Sequence, residues 1–116
     1  LPINNKGIEI VENSNGTAIK YPEGVMICTK SVSFTNISLT AQGSIYKSGN
    51  LELGDWPLQF IEIPIVNTTL IITSGEGSLY STAGVTKSYC GKCNVWRTTS
   101  SALGCAINII GIGRWK

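Results

Sequence analysis

The run Ser31-Val32-Ser33-Phe34-Thr35-Asn36-Ile37-Ser38-Leu39-Thr40 carries two strand patterns that do not share a phase. Val32 and Phe34 fall on one face, with Ser31, Ser33 and Thr35 on the other. After Thr35 the apolar positions pass to Ile37 and Leu39, and the polar ones to Asn36, Ser38 and Thr40. Side chains of a strand alternate with period two, so a slip of one residue would turn the apolar set out to solvent. The apolar residues stay on the core only if the chain inserts an extra residue near Asn36, as a β-bulge or corner. Such corners curl a sheet into a sandwich or barrel.

Outward from this run, the strand signals continue and helical ones do not. No stretch keeps apolar residues at i, i+3, i+4 and i+7. Residues 17–21 and 25–32 read as a hairpin around Pro22-Glu23-Gly24, where Gly24 is free to take positive φ. Residues 44–46 and 51–53 flank Ser48-Gly49-Asn50. Asp55-Trp56-Pro57 is a break, because Pro57 fixes φ and biases Trp56 toward extended backbone. Ile61, Ile63 and Ile65 share a face. Pro64 has no N–H for a ladder, so its strand is an edge or is interrupted there. Residues 69–74, 79–80, 85–90, 92–98 and 104–110 complete the set. The spacing predicts an all-β fold, an antiparallel β-sandwich or barrel in one domain. Residues 1–16, closing on Asn13-Ser14-Asn15-Gly16, read as a linker, and residues 17–116 as the domain. The start at Leu1 reads as a cut end of a longer polypeptide.

Composition narrows the function. The 116 residues suit one domain, which buries roughly two-thirds of its unfolded surface. Charged residues make up 14%, against about 25% in typical soluble domains. Ser, Thr, Asn and Gly must therefore cover the surface, or sister subunits must. The net charge of +2 comes without a basic stripe, so nucleic acid is not an expected partner. No apolar run reaches the roughly 20 residues of a membrane helix, so no membrane insertion is expected.

The chain has no histidine, which removes the commonest general base and zinc ligand. Glu9, Glu12, Glu23, Glu52, Asp55, Glu62 and Glu76 are scattered, and a solvated carboxylate explains each better than an acid pair across a groove. The expectation is a non-enzymatic domain without cofactor or metal. Cys90-Gly91-Lys92-Cys93, with Cys28 and Cys105, leaves three options open: zinc ligands, disulfides, or small buried thiols. Three Asn-x-Ser/Thr sequons, at Asn15, Asn36 and Asn67, are expected by chance in so polar a chain.

The hairpin Asn15-Gly16-Thr17-Ala18-Ile19-Lys20-Tyr21-Pro22-Glu23-Gly24-Val25-Met26-Ile27-Cys28 resembles the start of C-terminal receptor-binding heads of bacteriophage and prophage tail fibres. Trp56-Pro57-Leu58-Gln59-Phe60 with Ile63-Pro64-Ile65-Val66 resembles a middle segment of that family, and Ile112-Gly113-Arg114-Trp115-Lys116 its ending. Tyr21-Pro22 departs from the pattern, and residues 75–105 match none of it. The resemblance implies a homotrimeric head on an upstream fibre stalk, at the tail tip of a virion assembled in the host bacterial cytoplasm. It implies docking on a bacterial cell-surface polysaccharide such as a teichoic acid or capsule. Many weak sites on one particle then add up through effective concentration.

Recognition is expected in the unmatched part, within residues 76–100, because loops on a rigid scaffold carry it. Trp96 offers a flat face to sugar C–H groups, and Arg97 offers forked donors for phosphate or carboxylate. Tyr80, Tyr89 and Asn94 are expected nearby. The plainer reading puts Trp96 in the core and pairs Arg97 with Glu76. Trp56 and Trp115 read as core or subunit-interface residues. Three other functions compete: a secreted lectin-like adhesin, a polysaccharide-degrading enzyme, and a trimerisation cap without ligand.

Overall fold

A computed structural model describes residues 7–73 and 75–116. Ten strands follow one another: β1 (Glu9–Asn13), β2 (Gly16–Lys20), β3 (Val25–Ile37), β4 (Leu39–Gln42), β5 (Ile45–Ser48), β6 (Leu51–Glu52), β7 (Ile65–Ile72), β8 (Ser78–Ala83), β9 (Lys92–Arg97) and β10 (Leu103–Arg114). No helix occurs among the described residues. The strands form two antiparallel sheets, as expected from the alternation.

The first sheet has the order β1-β2-β3-β10-β7. Strand β3 runs through the opening decapeptide and ends on the expected bulge. Phe34 pairs with Cys105 but Ile37 pairs with Leu103, so one residue is extra between them. Asn36 absorbs it with φ of 53°, a left-handed conformation that asparagine tolerates better than most residues. Val32, Phe34 and Ile37 thus all lie opposite buried members of β10. One residue later the chain enters β4 and the second sheet.

That second sheet is built on β9. Strands β5 and β6 both pair with it, at Tyr46–Arg97, Lys47–Trp96, Leu51–Cys93 and Glu52–Lys92. Strand β8 covers its other side, and β4 pairs with β5. Ser48-Gly49-Asn50 is therefore an interruption along one side of β9, not the tip of a hairpin.

The core lies between the sheets. From β10 come Leu103, Cys105, Ile107 and Ile109, and from β9 Cys93 and Val95, all buried with Met26, Cys28 and Phe60. Each fully buried large apolar side chain contributes about 1.5–3 kcal/mol over an exposed one. Trp56 and Phe60 meet edge to face, with centroids 5.5 Å apart. Both rings lie on glycines of β10. A Cβ at Gly111 would stand 2.6 Å from the Trp56 ring, and one at Gly113 would stand 2.8 Å from Phe60.

Two further readings change. Residues 9–13, assigned from sequence to a linker, are strand β1, joined to β2 through the turn at Asn13–Gly16. The Asn13 side chain accepts the Asn15 amide at 2.8 Å, so the polar run that looked like a tether is a hairpin turn. Residues 85–90, read as a strand, are a loop. There the Thr86 hydroxyl accepts the amides of Ser88 and Tyr89, and the carbonyls of Lys87 and Ser88 accept Phe60 and Trp56. The last position of the expected strand 69–74 lies outside the described residues, as do residues 1–6 of the linker.

The outer face of the first sheet carries one continuous row of isoleucine. Ile10 stands opposite Ile19, Ile19 opposite Ile27, Ile27 opposite Ile112, and Ile112 opposite Ile65. The row crosses all five strands.

Candidate functional site

Strand β9 sorts the expected site residues by parity. Cys93, Val95 and Arg97 point into the sandwich and are buried, whereas Lys92, Asn94 and Trp96 lie on the outer face and are half-exposed. Successive side chains of a strand point to opposite sides, so the adjacent Trp96 and Arg97 cannot form one surface.

The outer face gathers around Trp96. Lys47 of β5 is its partner on one side and Ser78 of β8 on the other. Tyr80 sits at the irregularity between Leu79 and Ser81 and is exposed. The Lys47 ammonium lies 4.6 Å from the Tyr80 ring centroid, a cation–π contact. Asn94 is held from both sides. Its Nδ2 donates to the Ser48 carbonyl at 3.2 Å and to Asn50 Oδ1 at 3.3 Å, and its Oδ1 accepts the Ser81 hydroxyl at 2.8 Å.

Arg97 does something else. It is 9% exposed. Its Nε donates to the Glu76 carbonyl at 3.1 Å, and its Nη1 to the carbonyls of Ser101 and Ala102, both at 3.2 Å. The guanidinium ties the loop before β8 to the loop before β10. The pairing expected with Glu76 thus exists, but through the backbone carbonyl. A cleft of about 170 Å³ opens here, lined by Glu76, Gly77, Ser78, Trp96, Arg97 and Thr98.

Tyr89 lies at the opposite end of this face. It bridges to Asp55, and its hydroxyl donates to the Glu52 carboxylate. That hydrogen bond, with the negative charge it brings, pushes the phenol up to about 12.

The structure therefore brings Trp96, Tyr80 and Asn94 together on one face, sets Tyr89 at its far end, and turns Arg97 inward. Lys47, Asn50 and Ser78 join the group without having been singled out from sequence. Lys47 shares its parity with Ile45, so alternation alone does not single it out, and its place beside Trp96 depends on a pairing between distant strands.

The four cysteines are free and buried. Burial pushes the thiols of Cys28, Cys90 and Cys93 up to about 11 and raises that of Cys105. Among the described residues no group of three metal-binding side chains converges.

No protein-family model matches the chain, and no curated protein sequence does. Two solved structures share its fold. The N-truncated R1-type pyocin tail fibre aligns at a TM-score of 0.58 with 14% identity, over 91% of this chain and 84% of that one. The fibre of the P. aeruginosa R1 pyocin, as its C-terminal residues 323–701, aligns at 0.56 with 14% identity, over 92% of this chain and 28% of that one. The chain thus has the fold of a tail-fibre C-terminal region, and spans about a quarter of the longer fragment.

Proposed function

We propose that this domain is the homotrimeric receptor-binding head of a phage tail fibre or phage-tail-derived particle, and that it attaches to bacterial surface glycan through the outer face of the second sheet. The observation that carries the reading is the group formed by Trp96, Lys47, Tyr80 and Asn94 on that face. Two aromatic rings offer apolar platforms to sugar C–H groups, and an amide fixed by Ser48, Asn50 and Ser81 offers preset polarity to hydroxyls. Lys47 supplies a point charge for the phosphate or carboxylate of an anionic wall polymer. The adjoining cleft is smaller than the roughly 300 Å³ of a typical ligand pocket. It suits one sugar or one substituent of a chain that otherwise lies along the open face. Upstream, the head would join a fibre stalk. Attachment is reversible binding with no chemical step.

A glycan array of teichoic acids and capsular and wall polysaccharides, probed with the 116-residue chain, tests this. The parent is expected to bind an anionic bacterial polymer, and Trp96→Ala to lose at least tenfold in affinity while melting as the parent does. No binding to any bacterial glycan, or equal binding by both proteins, overturns the reading.

A further inference from the structure

The two outer faces of the sandwich differ in kind, and the difference assigns a role to the second of them. The outer face of the first sheet is nearly free of charge. Its paired rows hold the isoleucine ladder, then Thr17, Thr29, Ile110 and Asn67, then Ser31, Asn108 and Thr69. Glu12, opposite Thr17, is the charged residue in those rows, and Arg114, opposite Val25, stands in the next row beyond the ladder; both lie at the rim. Arg114 is already engaged, with its Nη2 on the Glu23 carbonyl and its Nε on the Lys116 carbonyl.

Three of the five ladder residues are exposed, and Ile19 and Ile27 are half-buried. Ile65 is 80% accessible, Ile10 61% and Ile112 47%. Ile61 and Ile63, on the chain that leads into β7, are exposed as well. Strands about 4.8 Å apart make the row about 19 Å long. The exposed isoleucine of this face amounts to on the order of 700 Å², close to the roughly 800 Å² per partner of a standard protein interface. It also exceeds the few hundred Å² of contiguous apolar surface that a lone soluble protein usually shows. Beside the ladder lies a shallow hollow of about 430 Å³, over Thr17, Thr29, Lys30, Ser31, Asn108 and Ile110, where the Lys30 ammonium is engaged by the carbonyls of Leu53 and Asp55.

We infer that copies of this chain meet through the isoleucine ladder on the outer face of the first sheet, which turns the second sheet outward. The inference rests on the trimeric reading above and names its contact surface. The row carries no charge that would repel an identical row, and the exposed isoleucine of this face is close in area to what one partner of a standard interface buries. Three such rows around a threefold axis build one apolar column. The aromatic and amide face, on the opposite side of the sandwich, then faces the surroundings three times over.

Sedimentation equilibrium of the 116-residue chain at micromolar concentration tests the surface. Ile65→Glu and Ile112→Glu are compared with Thr40→Glu, which changes an exposed residue of the second sheet. The parent and Thr40→Glu are expected at the trimer mass, and the two isoleucine variants at one third of it with the parent's strand-type circular dichroism. Ile65 is the decisive position, because so exposed an edge residue adds little to the fold of a single copy. If the parent is a trimer and Ile65→Glu remains one, the ladder is not the contact surface, although the trimeric reading stands. A monomeric parent overturns both, and the glycan array decides independently whether binding survives.

Discussion

The indole N–H of Trp115 donates to the carbonyl of Tyr21 at 2.7 Å, joining residues that are 94 positions apart in the chain. The Trp115 amide donates to Gly24, and Arg114 Nη2 to Glu23. The Lys20 ammonium lies 4.3 Å from the Trp115 ring centroid. The two terminal segments that resemble fibre heads are therefore partners in one contact. The middle segment joins them through Trp56 and Phe60, on Gly111 and Gly113. The shared wording describes how the domain closes, and the candidate binding face lies elsewhere.

Trp115→Phe keeps an aromatic ring for Lys20 but leaves the Tyr21 carbonyl without its indole donor. The expected loss is about 1 kcal/mol of unfolding free energy. Urea titrations of both proteins at one pH measure it, and an unchanged midpoint would show that the bond adds nothing net.

Gly111→Ala should cost more. The new methyl would stand 2.6 Å from a ring that is itself buried, and overpacking of this kind costs about 1–3 kcal/mol. The thermal midpoint should fall by several degrees. Adding Trp56→Leu to the variant should recover part of the loss by relieving the clash.

Arg97 and Trp96 are neighbours with opposite expected phenotypes. Arg97→Ala removes the donor that serves the carbonyls of Glu76, Ser101 and Ala102. Stability should fall by about 2 kcal/mol, since hydrogen bonds from a charged donor contribute about 1.5–3 kcal/mol. Amide exchange should accelerate over residues 98–102. Trp96→Ala should change stability by about 1 kcal/mol at most, as surface replacements do, while abolishing adsorption to host cells. Melting curves and adsorption counts on the two variants separate the roles, and an adsorption loss in Arg97→Ala without any destabilisation would reverse them.

The thiols set the alkaline limit. Cys28, Cys90 and Cys93 ionise near 11 in the fold, against about 9 when exposed. A raised acid pKa means that the folded state holds its protons longer than the unfolded one. Stability is therefore complete below pH 9 and falls as pH rises through 11. Denaturant midpoints from pH 7 to 11 should be flat and then decline, and the replacement of all four cysteines by Ala or Val should flatten the decline. At pH 8 the native thiols should resist iodoacetamide and react on unfolding.

What the sequence revealed was local. The bulge at Asn36 was legible because a phase slip is written into consecutive residues. Pro64 marked an edge or an interruption, and the strand is interrupted there: residues 61–64 are not strand, and β7, which starts at Ile65, lies at the sheet edge. Hidden were the pairings between distant segments. That β10 lies between β3 and β7, or that Lys47 adjoins Trp96, follows from no local pattern. The inward turn of Arg97 was available in principle, since it shares parity with the apolar Val95 and with Cys93. Its charge argued against the core, but its guanidinium is met there by the loop carbonyls of Glu76, Ser101 and Ala102 and by the Ser101 hydroxyl. The loop at residues 85–90 read as a strand because its residues favour extended backbone, but the Thr86 hydroxyl takes the amides that a ladder would need.

The place of β10 also orders events during synthesis. It is the neighbour of both β3 and β7, yet the ribosome makes it after the nine other strands among the described residues. Until residue 114 has emerged, Met26 and Cys28 on one side and Val66 and Leu70 on the other lack the strand that joins them into one sheet. The hairpin of β2 and β3 can form early, but the first sheet cannot. Folding of this domain is therefore an act of completion that must wait for translation of its last strand. A ribosome stalled before that point holds a chain with an open core, prone to stick to its neighbours.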